Sequence, residues 1–166
     1  DGNFMINFFS SQPALNYGFH EITEPWQLPV THPDSLATVE AMKDVIAFWL
    51  DRGCDGFRVD MADSLVKNDD EKIATAKIWR NVRQMLDAKY PEAALVSEWS
   101  CPERALKCGF HADFYLDHTG KGYHTLFRKT DRETSLNESF FSREGRGDAS
   151  QFAAEYSKDY NATKND

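Results

Sequence analysis

Apolar residues recur at three- and four-residue steps in two long stretches of the chain, which is the spacing of an amphipathic helix. In residues 35–51 these positions share one face, and its members are Leu36, Val39, Met42, Ile46, Trp49 and Leu50. The second stretch opens at residues 68–71, an Asn-x-x-Glu capping box, and ends at Tyr90-Pro91. Its inward positions are Ile73, Ile78, Trp79, Val82, Met85 and Leu86. The pattern predicts two long helices, with Trp49 and Trp79 in the core.

Short apolar runs alternate with these helical stretches. Residues 54–60, 93–98 and 111–117 have the length and composition of strands. A short helix is predicted over residues 102–108, and another around residues 121–129. Alternation of helix and strand is typical of parallel βα units, in which the crossovers are right-handed and consecutive strands are neighbours.

The two ends of the chain lack this regular pattern. Residues 1–34 contain four of the six prolines and show no sustained period, so they are predicted to be mostly loop. The middle region, residues 35–130, is predicted to hold the βα units. Residues 131–166 are predicted to form a polar loop and a short helix capped by Asp148-x-x-Gln151. The inner face of that helix would be Ala149, Phe152, Ala153 and Tyr156.

Composition and length narrow the class of protein. The chain has 166 residues, of which 41% are hydrophobic, so it can bury a sizeable core. Its net charge of -8 disfavours nucleic acid as a partner, and no apolar stretch approaches the roughly 18 residues of a membrane span. A complete eightfold βα barrel takes about 200 residues or more, so a chain of this length with barrel-like patterning is expected to be a piece of one.

Each of the three predicted strands ends in a carboxylate, at Asp60, Glu98 and Asp117. In parallel βα architectures the reactive groups lie at the C-terminal ends of strands. Asp60 and Glu98 would lie on adjacent strands about 4.8 Å apart, so their carboxyl groups could stand about 5 Å apart. That separation is typical of a retaining glycosidase, in which one carboxylate attacks the sugar and the other donates a proton.

The surroundings of the two acids predict different roles. Arg58 lies two residues before Asp60 on the same strand face, and a nearby guanidinium favours the ionised carboxylate that a nucleophile requires. Glu98 follows an apolar run and precedes Trp99, and an apolar, aromatic setting favours the protonated carboxyl of a general acid. We therefore predict Asp60 as nucleophile and Glu98 as acid/base. Ordinary ion pairs or helix-capping acids are the alternative interpretation of both residues.

Four segments resemble the α-amylase family of glycoside hydrolases, family 13. Residues 56–60, Gly-Phe-Arg-Val-Asp, resemble its strand-four motif, in which the Asp is the nucleophile and the Arg its partner. Residues 95–99, Leu-Val-Ser-Glu-Trp, are similar to the strand-five segment, whose Glu is the acid/base. Residues 7–17 resemble the segment leaving the family's inserted domain, and residues 48–53 the helix end before strand four. The resemblance thus implies that residues 1–34 leave an inserted domain and that residues 35–130 hold the βα units of the catalytic barrel. The resemblance implies a partial (β/α)8 TIM barrel covering about strands four to six, and a retaining double displacement on α-glucosidic bonds.

The resemblance covers only part of the family's catalytic set. The third carboxylate belongs to an Asn-His-Asp-like motif after strand seven, which does not occur in this sequence. The resemblance therefore implies that this acid lies outside the chain and that the chain alone is inactive. Many amylases have Lys-His three and four residues after the nucleophile, where this chain has Asp63 and Ser64. These residues do not support calcium, so no cofactor is expected for this chain, although the resemblance leaves calcium open for the full-length parent. Oligosaccharide-specific or transglycosylating members are at least as well matched as starch-degrading ones.

Substrate-binding residues are expected beside the acids, and the candidates are Trp99, Asn16 and Tyr17. Trp99 could stack on a sugar ring, and Asn16 matches a family position near the site.

The expected partner is an α-glucan or α-glucoside, and the open sheet edges predict self-association of the chain. His118 lacks metal-ligand spacing and is expected to be structural.

Two other function classes remain open from the sequence. Asp60, Glu98 and Asp117 could hold Mg²⁺ in a metal-dependent, enolase-like barrel, although Arg58 beside such a site would not fit. A non-catalytic sugar-binding homologue would keep the same fold without the reaction.

Overall fold

The protein is described by a computed structural model at residues 4–116, 118, 121–127, 139–143 and 147–165. Its regular elements follow the predicted alternation of helix and strand. In chain order they are α1 (Pro33–Leu50), β1 (Gly56–Val59), α2 (Ile73–Lys89), β2 (Ala94–Glu98), α3 (Pro102–Lys107), β3 (Ala112–Phe114), α4 (Gly122–Phe127) and α5 (Ser150–Thr163).

The strands of the described residues form one parallel sheet in the order β1-β2-β3. β1 and β2 pair with Val59 opposite Ser97, and β2 and β3 pair with Glu98 opposite Phe114. Consecutive strands are therefore neighbours, and the predicted α/β class with parallel βα units is confirmed. Asp117, the predicted end of the third strand, lies outside the described residues.

The main core lies between β2 and the helices α2 and α3. Leu86 of α2 and Leu95 of β2 are each 1% exposed, and Trp79 is 4% exposed, so the predicted core position of Trp79 is confirmed. The indole N–H of Trp79 donates to the carbonyl of Ala62 at 2.8 Å, which satisfies its one polar atom inside the core. Phe110 packs on the same indole, with 4.9 Å between the ring centroids.

Gly56 permits the close pairing of β1 with β2. Its φ is +153°, and a Cβ atom built at this position would lie 2.1 Å from the carbonyl oxygen of Ala94. A side chain there would therefore displace the backbone of β2, which explains physically why a glycine begins the Gly-Phe-Arg-Val-Asp segment.

The predicted inward face of α1 is too wide. Ile46 and Leu50 are buried and Met42 packs against the core, but Trp49 is 48% exposed and Leu36 is 52% exposed. Trp49 lies at the margin of the face and contacts Phe48 edge-to-face, with ring centroids 5.3 Å apart. The prediction of Trp49 as a core residue was wrong, because apolar spacing defines a face without defining how much of it a neighbour covers.

The start of α2 also differs from the predicted capping box. Lys72 precedes the helix in a left-handed conformation, with φ of +59°. The carboxylate of Asp69 accepts the backbone N–H groups of Ala74 at 3.3 Å and Thr75 at 2.8 Å. Asp69 thus caps α2 from outside it, because the left-handed turn carries this carboxylate over the free N–H groups.

No residue of α5 is buried. Of its predicted inner face, Ala149 and Phe152 are half-buried and face the neighbouring elements, whereas Ala153 and Tyr156 are exposed, so the prediction was wrong at these last two positions. Asp148 accepts the N–H of Ser150 at 2.8 Å, and Gln151 donates to Glu155 at 2.9 Å. The helix packs on α3 and α4, and most of its residues are exposed.

None of the described helices combines the length and apolar character that a membrane span requires.

Replacing Leu95 with Ala should destabilise the chain by about 2–5 kcal/mol, because it removes a large side chain from the centre of the core. Leu36→Ala is the matched control, and it should change the free energy of unfolding by about 0.5 kcal/mol or less, since Leu36 is half exposed. Urea unfolding followed by tryptophan fluorescence measures both. Equal losses in the two variants would contradict this assignment of the core.

Candidate active site

The parallel pairing of β1 and β2 brings two of the predicted acids together. Asp60 follows the last residue of β1 directly, and Glu98 is the last residue of β2. Because Val59 is opposite Ser97 in the sheet, the next residues along both strands emerge side by side at the carboxyl edge.

One guanidinium contacts both of these carboxylates. Arg58 Nη1 donates to Asp60 Oδ1, and Arg58 Nη2 donates to Glu98 Oε1. The second oxygen of Glu98, Oε2, accepts the backbone N–H of Met61 at 3.1 Å. The ring of Phe114 lies below the guanidinium, 5.7 Å from its central carbon to the ring centroid. The arginine therefore joins the ends of two strands through charge-assisted hydrogen bonds.

The two acids differ in their exposure to solvent. The side chain of Asp60 is 70% exposed and that of Glu98 is 16% exposed. The hydrogen bond from Arg58 is the main cause that holds the pKa of Asp60 below its ordinary value. Asp60 is therefore an accessible, ionised carboxylate, whereas Glu98 is more enclosed and fixed through both of its oxygens.

A cavity of about 600 Å³ opens directly onto the pair of acids. Its lining comprises Phe8, Phe9, Gln12, Asp60, Met61, Asp63, Glu98, Trp99, Leu116 and His118. Aromatic faces, carboxylates and an amide thus surround one concave space, the combination that small-molecule sites commonly use. Phe8, Phe9 and His118 were not predicted here from the sequence, because the segments that bear them reach the cavity only through the chain's tertiary arrangement.

The structure places the three predicted substrate-binding residues differently. Trp99 lines the cavity of the acids and contacts Phe110 edge-to-face. Tyr17 is 7% exposed in a second apolar cluster with Val66, and it lines a neighbouring cavity of about 520 Å³ that Asp60 also borders. Burial raises the pKa of Tyr17.

Asn16 is exposed and borders neither of the cavities next to the acids. Its side-chain oxygen accepts the N–H of Gly18 at 3.2 Å, and this hydrogen bond stabilises a turn of the backbone. A substrate contact by Asn16 stays a prediction.

Asp113 of β3 holds the loop that follows Glu98. One carboxylate oxygen accepts the hydroxyl of Ser97 at 2.7 Å and the N–H of Trp99 at 3.0 Å. The other oxygen accepts the N–H of Cys101 at 2.7 Å. Asp113 was not among the predicted site residues, although an acidic residue inside an apolar strand is a signal that the sequence contains.

A metal site was the other arrangement expected from the strand-end acids. No group of three His, Cys, Asp or Glu side chains with suitable spacing occurs within the part of the chain that the structure describes, and Asp117 lies outside that part. The guanidinium of Arg58 already contacts both Asp60 and Glu98, so these two carboxylates are paired with an arginine. This arrangement does not fit a metal ion between the two acids.

Comparison with known proteins tests the fold and family. The family model "Alpha amylase, catalytic domain" matches residues 4–140, which include both acids and Arg58. The chain belongs to this family. The resemblance of the motifs at strands four and five is thereby confirmed, and the sheet is part of an alpha-amylase catalytic barrel.

The chain is similar in sequence to enzymes named as trehalose synthases and as an alpha-glucosidase. Trehalose synthase/amylase TreS of Mycolicibacterium smegmatis is 36% identical over 95 residues, covering 55% of this chain and 13% of that protein. Trehalose synthase of a Pimelobacter species is 32% identical, with 55% of this chain and 14% of that protein covered. Salivary alpha-glucosidase of Aedes aegypti is 36% identical over 66 residues, covering 40% of this chain and 9% of that protein. The chain thus matches a small share of each relative's length.

A solved structure supports the same fold. Amy13B of Eubacterium rectale superposes on 84% of this chain with a TM-score of 0.53 and 20% sequence identity, using 26% of its own length. Three parallel βα units of an amylase barrel therefore account for the described sheet, and the predicted partial (β/α)8 barrel is confirmed.

Replacing Arg58 with Gln should raise the pKa of Asp60, because the substitution removes the hydrogen bond that lowers it. Asp60 would then take up its proton at a higher pH. Arg58→Lys keeps the charge but loses the two-pronged contact, so it should raise the pKa less. Carbon-13 NMR titration of the Asp60 carboxyl measures the shift, and an unchanged midpoint in Arg58→Gln would contradict this cause.

Asp113→Ala should speed hydrogen exchange at the amides of Trp99 and Cys101 by about tenfold or more, since both lose a charged acceptor. Asp113→Asn keeps one acceptor oxygen and should give a smaller increase. Asp87→Asn is the control, because Asp87 accepts from Arg83 on the open surface of α2. If exchange is the same in Asp113→Ala and the unaltered protein, Asp113 does not hold this loop.

Proposed function

We propose that the chain supplies the nucleophile and the acid/base of a retaining glycoside hydrolase or transglycosylase acting on α-glucosidic bonds of oligo- or polysaccharides. Membership of the alpha-amylase family supports the class of reaction. The observation that carries the assignment of residues is the pair of carboxylates at adjacent strand ends, Asp60 and Glu98, both contacted by Arg58.

The first half of the reaction forms a covalent intermediate. Asp60 attacks the anomeric carbon while the bond from that carbon to the leaving oxygen breaks, and Glu98 transfers its proton to that oxygen. The exposed, ionised Asp60 suits attack from the cavity. Arg58 can still donate to the carbonyl oxygen of protonated Glu98, so the guanidinium keeps both acids in position during the transfer.

The second half reverses these roles. Glu98, now a carboxylate, removes a proton from a water molecule or from a sugar hydroxyl, whose oxygen attacks the anomeric carbon and releases Asp60. Two inversions return the original anomeric configuration. Water as acceptor gives hydrolysis, and a sugar hydroxyl gives transfer.

The names of the relatives favour small α-glucosides or α-glucans as substrates, since they include trehalose synthase, amylase and alpha-glucosidase. Asp63 and Ser64 replace the Lys-His pair of many amylases, and Asp63 lines the cavity of the acids. This favours oligosaccharide or transfer chemistry at least as strongly as starch degradation.

The 166-residue chain by itself is expected to have no meaningful hydrolase activity. The family's third carboxylate has no matching motif in this sequence, and catalysis depends on a completely assembled, preorganised site. Tests of the reaction therefore use the full-length protein that carries these residues in its catalytic barrel.

In that protein, Asp60→Asn should lower kcat/KM for 4-nitrophenyl α-glucoside by about 10³-fold or more, because the nucleophile is lost. Glu98→Gln should lower it about 10²–10⁴-fold for an oligosaccharide, whose leaving oxygen needs a proton. The loss should be smaller for 4-nitrophenyl α-glucoside, whose acidic phenol leaves without one. Asp87→Asn is the control, because Asp87 pairs with Arg83 on the open surface of α2, and it should leave kcat/KM unchanged for both substrates.

Proton NMR of the first product distinguishes the stereochemistry, and the α-anomer is expected. An initial β-anomer would show an inverting reaction and overturn the proposed roles. Tight, stoichiometric Mg²⁺ binding that Asp60→Asn abolishes would instead favour the metal-dependent barrel. Full activity of both Asp60→Asn and Glu98→Gln would exclude these acids.

A further inference from the structure

Met61, the residue after Asp60, has an unusual backbone conformation. Its φ is +43°, in the left-handed region that residues other than glycine seldom adopt. Its backbone N–H is the group that donates to Glu98 Oε2 at 3.1 Å. A residue with a side chain persists in this conformation only where its surroundings hold it there, and such residues cluster at functional sites. The contacts of Met61 therefore show what keeps this N–H directed at Glu98.

The carbonyl group of Met61 is held by Ser64. The N–H of Ser64 donates to this carbonyl oxygen at 3.0 Å, and the hydroxyl oxygen of Ser64 lies 2.9 Å from it. These two contacts close a tight turn that begins at Met61, which we call the Met61 turn. Ser64 occupies the position at which many amylases have a His, so its hydroxyl contact depends on a residue in which this chain differs from them.

Asn7 contacts the Met61 turn from another part of the chain. Its side-chain oxygen accepts from the ammonium group of Lys67 at 3.2 Å and lies 3.0 Å from the hydroxyl of Ser64. Its side-chain nitrogen donates to the sulfur of Met61 at 3.8 Å. Lys67 also donates to the carbonyl oxygen of Ser64 at 3.0 Å. One amide side chain thus contacts three residues of the segment that follows the nucleophile.

These contacts reach the acids only through the Met61 turn. Asn7 and Ser64 line the neighbouring cavity of about 520 Å³, and neither borders the cavity onto which both acids open. The hydroxyl of Ser64 has one proton, so it donates either to Met61 or to Asn7 at any one time. The two side chains therefore form one hydrogen-bonded unit around the carbonyl and the sulfur of Met61.

The N–H of Met61 lies where charge develops in the proposed reaction. The charged guanidinium of Arg58 is the stronger donor to Glu98 and contacts Oε1, which makes Oε1 the carbonyl oxygen and leaves the transferable proton on Oε2. Negative charge develops on Oε2 as this proton moves to the leaving oxygen. An N–H that is already directed at Oε2 stabilises the charge without reorganisation.

We propose that Ser64 and Asn7 are positioning residues that hold Met61 in its left-handed conformation, so that its N–H supports the proton transfer. This inference rests on the proposed function. It gives the serine at this position a role in catalysis that needs no contact with the substrate.

The test uses the full-length protein with phenyl α-glucoside and 4-nitrophenyl α-glucoside. The two substrates share one sugar and an aromatic leaving group, but phenol is the weaker acid and depends far more on a proton from Glu98. In Ser64→Ala, kcat/KM should fall about tenfold or more for phenyl α-glucoside and about threefold or less for 4-nitrophenyl α-glucoside. Ser64→Thr keeps the hydroxyl group and should retain the ratio of the two values.

A second variant and a second measurement support the comparison. Asn7→Ala should give the same selective loss, and combining it with Ser64→Ala should add little, because both residues act on one turn. Hydrogen exchange at the Met61 amide should be about threefold or more faster in each variant. Ser150→Ala is the matched control, because its hydroxyl contacts Asp148 at the start of α5, and it should change neither readout. Thermal melting followed by circular dichroism checks that each variant folds.

Equal losses for the two glucosides in Ser64→Ala would overturn the inference, and so would unchanged exchange at the Met61 amide. Fully additive effects of Ser64→Ala and Asn7→Ala would show that the residues act separately and would also overturn it. In each of these cases, loss of nitrophenyl glucoside cleavage in Asp60→Asn would still support the proposed function. If the unaltered enzyme cleaves neither glucoside, both proposals fail.

Discussion

The guanidinium of Arg58 donates to a carboxylate from each of two neighbouring strands, and the rest of the site is arranged around this contact. Two carboxylates side by side repel each other, so a pair at the edge of a parallel sheet needs a cation between them. A planar guanidinium meets that need with two donors in a fixed fork, whereas an ammonium would act as a single point of charge. The contact also lowers the pKa of Asp60 while leaving that side chain open to the cavity.

This contact depends in turn on the pairing of the strands. Gly56 allows the backbone of β1 to approach Ala94 of β2, and the resulting register places both acids at the same edge. On the other side of β2, Asp113 binds two backbone N–H groups of the loop after Glu98. Glu98 is thus bounded by β1 through Arg58 and by β3 through its loop, so three strands together determine where one carboxyl group lies.

The same loop separates two cavities of similar volume. Trp99 borders both, and the acids border only one of them. Hydrogen bonds connect α5 to the residue that follows β3, through Tyr115 and Asp159, and to the start of α4, through Glu155 and Gly122. These contacts form although α5 itself buries none of its residues.

The sequence alone determined the helices, the strands and the candidate acids, because each of these depends on residues that are close together in the chain. The Gly-Phe-Arg-Val-Asp segment contains the glycine, the arginine and one acid within five positions, so a local pattern was sufficient to predict their proximity. Only the tertiary structure decided the exposure of Trp49 and the capping of α2 by Asp69. It also decided the hydrogen bonds that Asp113 accepts from the loop after β2, and the two cavities. Each of these depends on how far a neighbouring element covers a face, or on a hydrogen bond across segments. Apolar periodicity contains information about the faces of one element, but none about the distance to the next.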